Sequence, residues 1–131
     1  MMTKEQYVDY WMNTAEEDWT TVGVLFAMER YLHCLYWAHL MLEKLANALW
    51  IKNNSDNIPP KSHDIVWLLG ESKVDLGKDY TEFLYKFNRF QLLDQSLDHT
   101  SKLYQACTKE FTAHELKKVK EVRAFLIEIL P

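Results

Sequence analysis

The chain has 131 residues, of which 48% are apolar and 26% are charged, and it contains only three glycines and three prolines. At typical frequencies about sixteen glycines and prolines would be expected in a chain of this length. Because turns and bulges consume these residues, the composition disfavours a β-sandwich or barrel and favours a few long helices in one domain, residues 1–131. The net charge of −4 excludes the uniformly basic surface of a dedicated duplex-binding protein.

The patterning of charge and cysteine predicts a cytoplasmic protein. The longest apolar run, residues 31–41, contains two histidines and falls short of the roughly 20 residues that a membrane span needs. Glu5 and Asp9 interrupt the N-terminal region, so no secretory signal is predicted. Cys34 and Cys107 are too few for a disulfide framework and lack metal-ligand spacing, and both are expected to be small buried hydrophobic residues.

Two helices are predicted in the first part of the chain, over about residues 4–28 and 30–52. Thr3 and Gln6 have the spacing of a capping box at the start of the first helix. Gly23 interrupts that helix, which predicts either a bend or the close approach of another backbone. The second helix is apolar around more than half of its circumference, so it is expected to be central.

The middle of the chain predicts a loop and two further helices. Residues 53–60 are turn-forming at every position but one and predict the loop. Ser62 is expected to cap a short third helix that Gly70 ends. A fourth helix is expected to open at Asp79 and to carry apolar side chains as far as Leu93.

The last helix is predicted from a second capping-box pattern. Residues 95–108 lose clear periodicity, whereas Thr112 and Glu115 have capping-box spacing and are flanked by Phe111 and Leu116 as a hydrophobic staple. The predicted fold is therefore all-α: an up-and-down bundle of four long helices plus one short helix.

Several chemical signatures are absent from the sequence. Three scattered glycines leave no GxxxxGK or GxGxxG loop to hold phosphates, and the HExxH, CxxC and GxSxG patterns do not occur. His39 and Glu43 share a helical face, but two side chains are only half of a metal site. No metal ion and no cofactor is therefore predicted.

Five side chains are predicted to contact a ligand: Glu43, Lys44, His63, Asp64 and Arg89. Glu43 and Lys44 form an ionisable pair inside the most apolar helix, which is typical of a groove. His63 and Asp64 stand at a helix start, where free N–H groups favour anions. Arg89 lies between two phenylalanines, and a shielded guanidinium pairs well with phosphate. The structural alternatives are salt bridges and satisfaction of the helix dipole.

The last predicted helix carries one cluster of basic side chains: Lys117, Lys118, Lys120 and Arg123. Glu115 and Glu121 dilute the positive charge of this cluster. A solvated helix face is the first interpretation, and contact with RNA is the alternative.

Four short motifs in order resemble those of the HEPN family of small helical domains. They read Tyr10-Trp11-x3-Ala15-x2-Asp18, Tyr36-Trp37-Ala38-x4-Glu43-Lys44-x-Ala46, Pro59-Pro60-x-Ser62-His63-Asp64-Ile65-x2-Leu68 and Phe87-Asn88-Arg89-Phe90. The resemblance spans nearly the whole chain. It implies an all-helical bundle, usually a homodimer, whose relatives bind nucleotides or cleave RNA as toxins beside small nucleotidyltransferase partners.

The RNA-cleaving relatives carry an Arg-x4-6-His motif where two subunits meet, and this sequence departs from that spacing. Two residues separate Arg30 from His33, and nine separate Arg89 from His99. Metal-independent RNA cleavage needs a histidine for proton transfer and a cation on the phosphate at a fixed spacing. Arg89 and His99 are therefore only weak catalytic candidates.

The function predicted from the sequence is a non-catalytic HEPN-type module, dimeric, that binds a nucleotide or nucleic-acid phosphate, with surplus aromatic side chains that can stack a base. Two alternatives stay open. One is a partner-binding component of a toxin–antitoxin or defence system, paired with a small nucleotidyltransferase. The other is a divergent HEPN ribonuclease. No membrane partner is expected.

Overall fold

The computed structural model describes residues 2–91 and 97–130, and those residues form helices and loops with no strand. Six α-helices run over Lys4–Ala27 (α1), Tyr31–Asn53 (α2), Ile65–Glu71 (α3), Lys78–Phe87 (α4), Leu97–Ala106 (α5) and Lys109–Glu128 (α6), with a 3-10 turn at Asn88–Phe90. The all-α prediction is confirmed.

An antiparallel hairpin of α1 and α2 forms the base of the fold. The predicted capping box starts α1: the Thr3 hydroxyl accepts from the Gln6 N–H, and the Gln6 side chain accepts from the Thr3 N–H. At the far end Glu29 adopts φ 61°, which reverses the chain into α2. The hairpin is closed by Lys4, whose Nζ donates to the carbonyl of Ile51 near the end of α2, at 2.7 Å.

The second helix is the centre of the core, as its apolar circumference predicts. Fifteen of its 23 residues are buried, and α1, α3, α5 and α6 all pack against it. Burying a leucine or isoleucine side chain stabilises a fold by about 1.5–3 kcal/mol, so α2, which buries the most apolar side chains of the described helices, makes the largest apolar contribution. At its end Lys52 donates to the carbonyl of Ile129, at 2.6 Å. The C-terminal ends of α2 and α6 therefore lie together, and α6 runs antiparallel to α1.

The boundaries of α3 and α4 differ from the predicted ones. Asp64, rather than Ser62, caps α3, since its carboxylate accepts from the Trp67 N–H. The Ser62 hydroxyl instead accepts from the Asp64 N–H, at 3.1 Å, and shapes the entry to the helix. Gly70 lies inside α3, which ends one residue later. Gly77, with φ 81°, is the N-cap of α4, so the expected opening residue Asp79 lies in its first turn.

The C-terminal part contains one helix more than predicted. Residues 97–106 form α5 although their periodicity is weak, and Leu93 lies outside the described residues. The last helix starts at Lys109 because the Thr108 hydroxyl, rather than that of Thr112, accepts the capping hydrogen bond. The predicted capping box is therefore wrong by one turn, and Thr112 is buried within α6.

Two single-residue predictions have opposite outcomes. Both cysteines are free and buried, as predicted, and burial raises the pKa of the Cys34 thiol to about 12 and of the Cys107 thiol to about 11. Gly23, by contrast, marks no close helix crossing. It is exposed, and no atom of the described residues lies within 4 Å of the place a Cβ would take.

Candidate ligand-binding site

Five polar side chains from three parts of the chain meet beside the core helix. His39 and Glu43 project from one face of α2, being four residues apart. His63 and Asp64 come from the loop that enters α3, and Asn88 comes from the 3-10 turn after α4. These five residues are called the polar cluster below.

The side chains of the polar cluster contact one another in series, and its two ends, His63 and Asp64, are neighbours in the chain. Glu43 Oε1 lies 2.9 Å from His63 Nδ1, and Glu43 Oε2 lies 3.7 Å from His39 Nδ1. His39 Nε2 lies 3.1 Å from Asn88 Oδ1, and Asn88 Nδ2 donates to Asp64 Oδ1 at 2.9 Å. Each buried polar group therefore has a partner from its own chain, which is what burial of such groups requires.

The hydrogen bonds of Asn88 fix the tautomer of His39. Asn88 Oδ1 already accepts from the backbone N–H of Ile65, at 3.3 Å, so His39 Nε2 must be the donor in their contact. The Nδ1 of a neutral His39 then carries no proton and faces Glu43. Burial lowers the pKa of His39 to about 4, so the ring stays neutral at physiological pH.

The carboxyl group of Glu43 holds a proton more readily than an exposed glutamate does. Burial raises its pKa, and the neighbouring His63 and Lys44 partly oppose that shift. When that carboxyl group is protonated, it can donate its hydrogen to His63 Nδ1, 2.9 Å away.

The His63 side chain contacts the buried Glu43 carboxyl group on one side and solvent on the other. It is 42% exposed, whereas the Glu43 side chain is 12% exposed. The contact with Glu43 occupies Nδ1 and leaves Nε2 as the ring nitrogen for a ligand. When His63 Nδ1 accepts a hydrogen from the Glu43 carboxyl group, the neutral ring carries its own hydrogen on Nε2 and can donate it to an anion. Lys61 is exposed two residues earlier on the same loop.

Two other predicted ligand contacts, Lys44 and Asp64, have partners other than the Glu43–His63 pair. Lys44 follows Glu43 by about 100° around α2, and its ammonium lies 2.8 Å from a carboxylate oxygen of the buried Asp18 on α1. Asp64 caps α3 and accepts from Asn88. Both side chains thus have structural partners, and their contact with a ligand stays a prediction.

Arg89 lies against α6 rather than against the polar cluster. Its guanidinium carbon is 5.0 Å from the ring centre of Phe90 and 5.5 Å from that of Phe111. Its Nη2 lies 3.9 Å from Glu115 Oε1. Burial raises the pKa of the Glu115 carboxyl group, and the charge of Arg89 opposes part of that rise. His99 is on α5, whereas Arg89 is in the 3-10 turn, so no common helix sets their spacing.

The basic side chains of α6 are partly neutralised within the chain. Lys118 lies 3.9 Å from Glu121 and 5.9 Å from the ring centre of Tyr80. Arg123 pairs with Glu16 of α1 and lies over the ring of Trp19. These contacts agree with the interpretation of a solvated helix face whose cations pack against aromatic rings.

Two functional features escaped the sequence interpretation. The sequence indicates Asn88 only as the neighbour of Arg89, yet its side chain forms hydrogen bonds with His39, Ile65 and Asp64. The available signal was a short amide side chain between Phe87 and Phe90 in an apolar stripe. The second feature is Lys4, whose long-range contacts have no signature in local sequence.

The described residues contain neither a cluster of metal ligands nor a membrane-spanning helix. Within residues 2–91 and 97–130, no group of three or more His, Cys, Asp or Glu side chains is placed to hold a metal ion. None of the helices in those ranges is long and apolar enough to cross a membrane.

Comparison with known proteins identifies one family. The family model described as HEPN domain matches residues 8–130, which confirms the resemblance seen in the four motifs. Neither the curated proteins nor the solved structures gave a match.

Proposed function

Because the chain belongs to the HEPN family, a family of nucleotide-binding and RNase-type modules, we propose that it is a non-catalytic member that binds a nucleotide or nucleic-acid phosphate and acts as a homodimer. The observation that carries this proposal is the pairing of the half-exposed His63 ring with the buried Glu43 carboxyl group, at 2.9 Å. A fixed ring with one outward nitrogen is suited to recognise a phosphate oxygen.

The surroundings of His63 supply further charge for an anion. Lys61 lies on the same loop and is exposed, and a lysine ammonium binds phosphate as a mobile point charge. The Asp64 carboxylate is occupied by the Trp67 N–H and by Asn88, which reduces its repulsion of an approaching anion. Lys44 joins the site only if a ligand draws it from Asp18.

The non-catalytic assignment rests on Arg89 and His99. An Arg-x4-6-His motif holds both side chains on one helix, between one and two turns apart. Here the two residues belong to different elements, and Arg89 is engaged by Phe90, Phe111 and Glu115. A divergent ribonuclease would need Arg89 and His99 to face one phosphate without a shared helix to set their spacing.

The test of phosphate binding uses thermal denaturation and calorimetry with ATP, GTP, CTP and UTP at millimolar concentration. We expect at least one nucleotide to raise the melting temperature by mass action, and His63→Gln to weaken its binding at least tenfold. The matched control is His114→Gln, since His114 is an exposed histidine on α6, and it should bind as the wild type does. A wild-type protein that no nucleotide stabilises, or equal binding by His63→Gln, would overturn the proposal.

The homodimer is tested separately by light scattering. A dimer gives twice the 15.6 kDa of one chain at micromolar concentration, and a mass of one chain over the whole concentration range would refute it. RNase activity, measured on structured and single-stranded RNA, is expected to be undetectable. Cleavage that His99→Ala abolishes would instead establish the ribonuclease.

The partner-binding alternative is favoured by apolar side chains left in solvent: Val24, Met28, Trp67, Tyr85 and Tyr104. A partner such as a small nucleotidyltransferase would cover some of them. Co-purification of the untagged protein with a stoichiometric partner, combined with no response to nucleotides, would favour this function. The cytoplasmic location stays a prediction, testable by fractionation of the native host.

A further inference from the structure

An apolar groove lies between the start of α1 and the loop that follows α2. Its lining residues, called the aromatic groove, are Met2, Tyr7, Tyr10, Trp11, Asn57, Ile58 and Pro59. Three of them are large apolar side chains with high exposure: Met2 at 40%, Tyr10 at 53% and Ile58 at 70%. The aromatic side chains share one face of α1, because positions i, i+3 and i+4 are neighbours on a helix.

The groove is held in shape by the hydrogen bonds of the partly buried Lys4. Lys4 Nζ donates to the carbonyls of Ile51 and Asn54, at 2.7 and 2.8 Å, and to Asn57 Oδ1, at 2.9 Å. These bonds tie the loop to the first turn of α1. The two walls of the groove therefore stand in place before any ligand arrives, which lowers the entropic cost of binding.

The size and chemistry of the groove suit one planar ring system. Its volume is about 260 Å³, slightly below the range of roughly 300–1,000 Å³ typical of sites for drug-sized ligands. The rings of Tyr10 and Trp11 stand at 78° to each other with centres 5.4 Å apart, so they form two sides of a corner. Aromatic side chains stack on any nucleic-acid base, because every base has a π face.

Asn57 adds one directional group at the edge of the groove. An ammonium group only donates hydrogen bonds, so Asn57 must turn its Oδ1 toward Lys4. The Nδ2 amino group is then the end that can donate to a ring nitrogen or carbonyl oxygen of a base. A small number of placed polar groups on an apolar wall is the usual composition of a specific small-molecule site.

The groove and His63 lie on the same loop. Pro59 lines the groove and His63 follows four residues later, so the two are at most about 14 Å apart along the chain. The exposed Lys61 lies between them in sequence. A nucleoside triphosphate spans a comparable distance from its base to its terminal phosphate.

We propose that the aromatic groove receives the base of the nucleotide whose phosphates contact Lys61 and His63. The proposal rests on the proposed function, and it adds the location of the base, its stacking partners and the amide that reads its edge. The loop of residues 54–64 then contacts both ends of one ligand.

The test compares a groove variant with a matched surface variant. Tyr10→Ser removes a stacking ring, and Tyr104→Ser removes an equally exposed tyrosine, at 58%, from α5. Both positions are exposed, so both variants are expected to fold, which melting temperature verifies. Loss of one base–aromatic stack is worth about fivefold or more in affinity. We expect Tyr10→Ser to weaken the best-binding nucleotide by at least that factor and Tyr104→Ser to leave it within twofold.

Two further probes separate failure of this inference from failure of the proposed function. Inorganic tripolyphosphate has no base, so Tyr10→Ser should not change its affinity, whereas His63→Gln should. Adenosine has no phosphate and should show the reverse dependence. Nucleotide binding that is sensitive to His63→Gln but not to Tyr10→Ser would overturn the base site and retain the phosphate site. Nucleotide binding that is sensitive to Tyr10→Ser but not to His63→Gln, together with no binding of tripolyphosphate, would retain the groove and refute the phosphate site, and no response to any probe would refute both.

Discussion

The polar cluster and the aromatic groove are built on the same loop but by opposite means. In the polar cluster, the hydrogen-bonding side chains are paired among themselves, and the His63 ring and the Asp64 carboxylate reach solvent. In the aromatic groove, three apolar side chains stay 40–70% exposed although the loop beside them is held by Lys4. The first region has almost no unmet interaction, whereas the second has apolar surface that nothing within the described chain covers.

This difference indicates what each region can contribute to binding. Covering exposed apolar surface is favourable by about 25 cal/mol per Å², so the groove offers affinity for an apolar ring. The polar cluster offers one directional contact, because its other hydrogen-bonding groups are committed to the fold. A ligand with an aromatic end and an anionic end would use both regions, as a nucleotide does.

The largest expected effect concerns the neutral, buried His39. The unfolded chain binds a proton at His39 below about pH 6.5, but the folded chain resists until about pH 4. Stability from this group is therefore complete above pH 6.5 and falls by up to about 3 kcal/mol as the pH drops to 4. The raised pKa of Glu43 acts in the opposite sense and reduces the net loss.

Urea unfolding of His39→Gln at neutral and acidic pH tests this expectation. Glutamine stays neutral and can still donate to Asn88, so the variant should lose less stability on acidification than the wild type. The exposed His114→Gln should show the wild-type pH dependence. If His39→Gln lost as much stability on acidification as the wild type, the polar cluster would tolerate a charged His39. The proposed difference between the polar cluster and the aromatic groove would then be wrong.

The next effect concerns Asn88, the residue that links two members of the polar cluster. Asn88→Ala removes hydrogen bonds to His39, Ile65 and Asp64. Leaving buried partners unsatisfied costs about 1–3 kcal/mol, so we expect a loss of about 2 kcal/mol in the free energy of unfolding at pH 7. The exposed Asn13→Ala should stay within about 0.5 kcal/mol of the wild type. Equal values for the two variants would show that these hydrogen bonds do not stabilise the fold.

The smallest effect on stability is expected at Lys4, which holds the groove in shape. Lys4→Met removes four hydrogen bonds from a partly solvated ammonium, which should cost about 1 kcal/mol. Hydrogen exchange should accelerate in residues 54–58, and nucleotide affinity should fall although Lys4 does not line the groove. Lys102→Met, an exposed lysine on α5, is the control. Unchanged exchange in the loop would show that the groove is not preorganised by Lys4.

Local sequence predicted the first half of the fold well. The capping box at Thr3 and the apolar circumference of the second helix describe interactions within one helix, and both are found as expected. The predicted start of the last helix is wrong because Thr108 and Thr112 are both plausible N-caps in the sequence. Glu115, the expected partner of Thr112, is instead half-buried against Arg89, a contact between distant segments.

The candidate site was predictable in residue type but not in pairing. Glu43 and His63 were both selected, but their contact across 20 residues depends on how the loop folds back along α2. Lys44 and Arg89 are predicted to contact the same ligand as Glu43 and His63, but neither lies beside that pair. Lys44 follows Glu43 on α2, and adjacent positions on a helix point in different directions. The partners of Lys44 and Arg89, Asp18 and Glu115, lie on α1 and α6.

The sequence by itself determined the helical class, the family, the two longest N-terminal helices and the list of chemically capable residues. The helical class and the helices follow from periodicity, capping and composition, which act over a few residues, and the family follows from the resemblance of four short motifs. Only the tertiary structure decided that Asn88 links two members of the polar cluster, that Lys4 clamps a loop about 50 residues away and that an aromatic groove lies beside His63. The physical reason is that a side chain contributes through the partners that packing brings to it, and no local pattern specifies those partners.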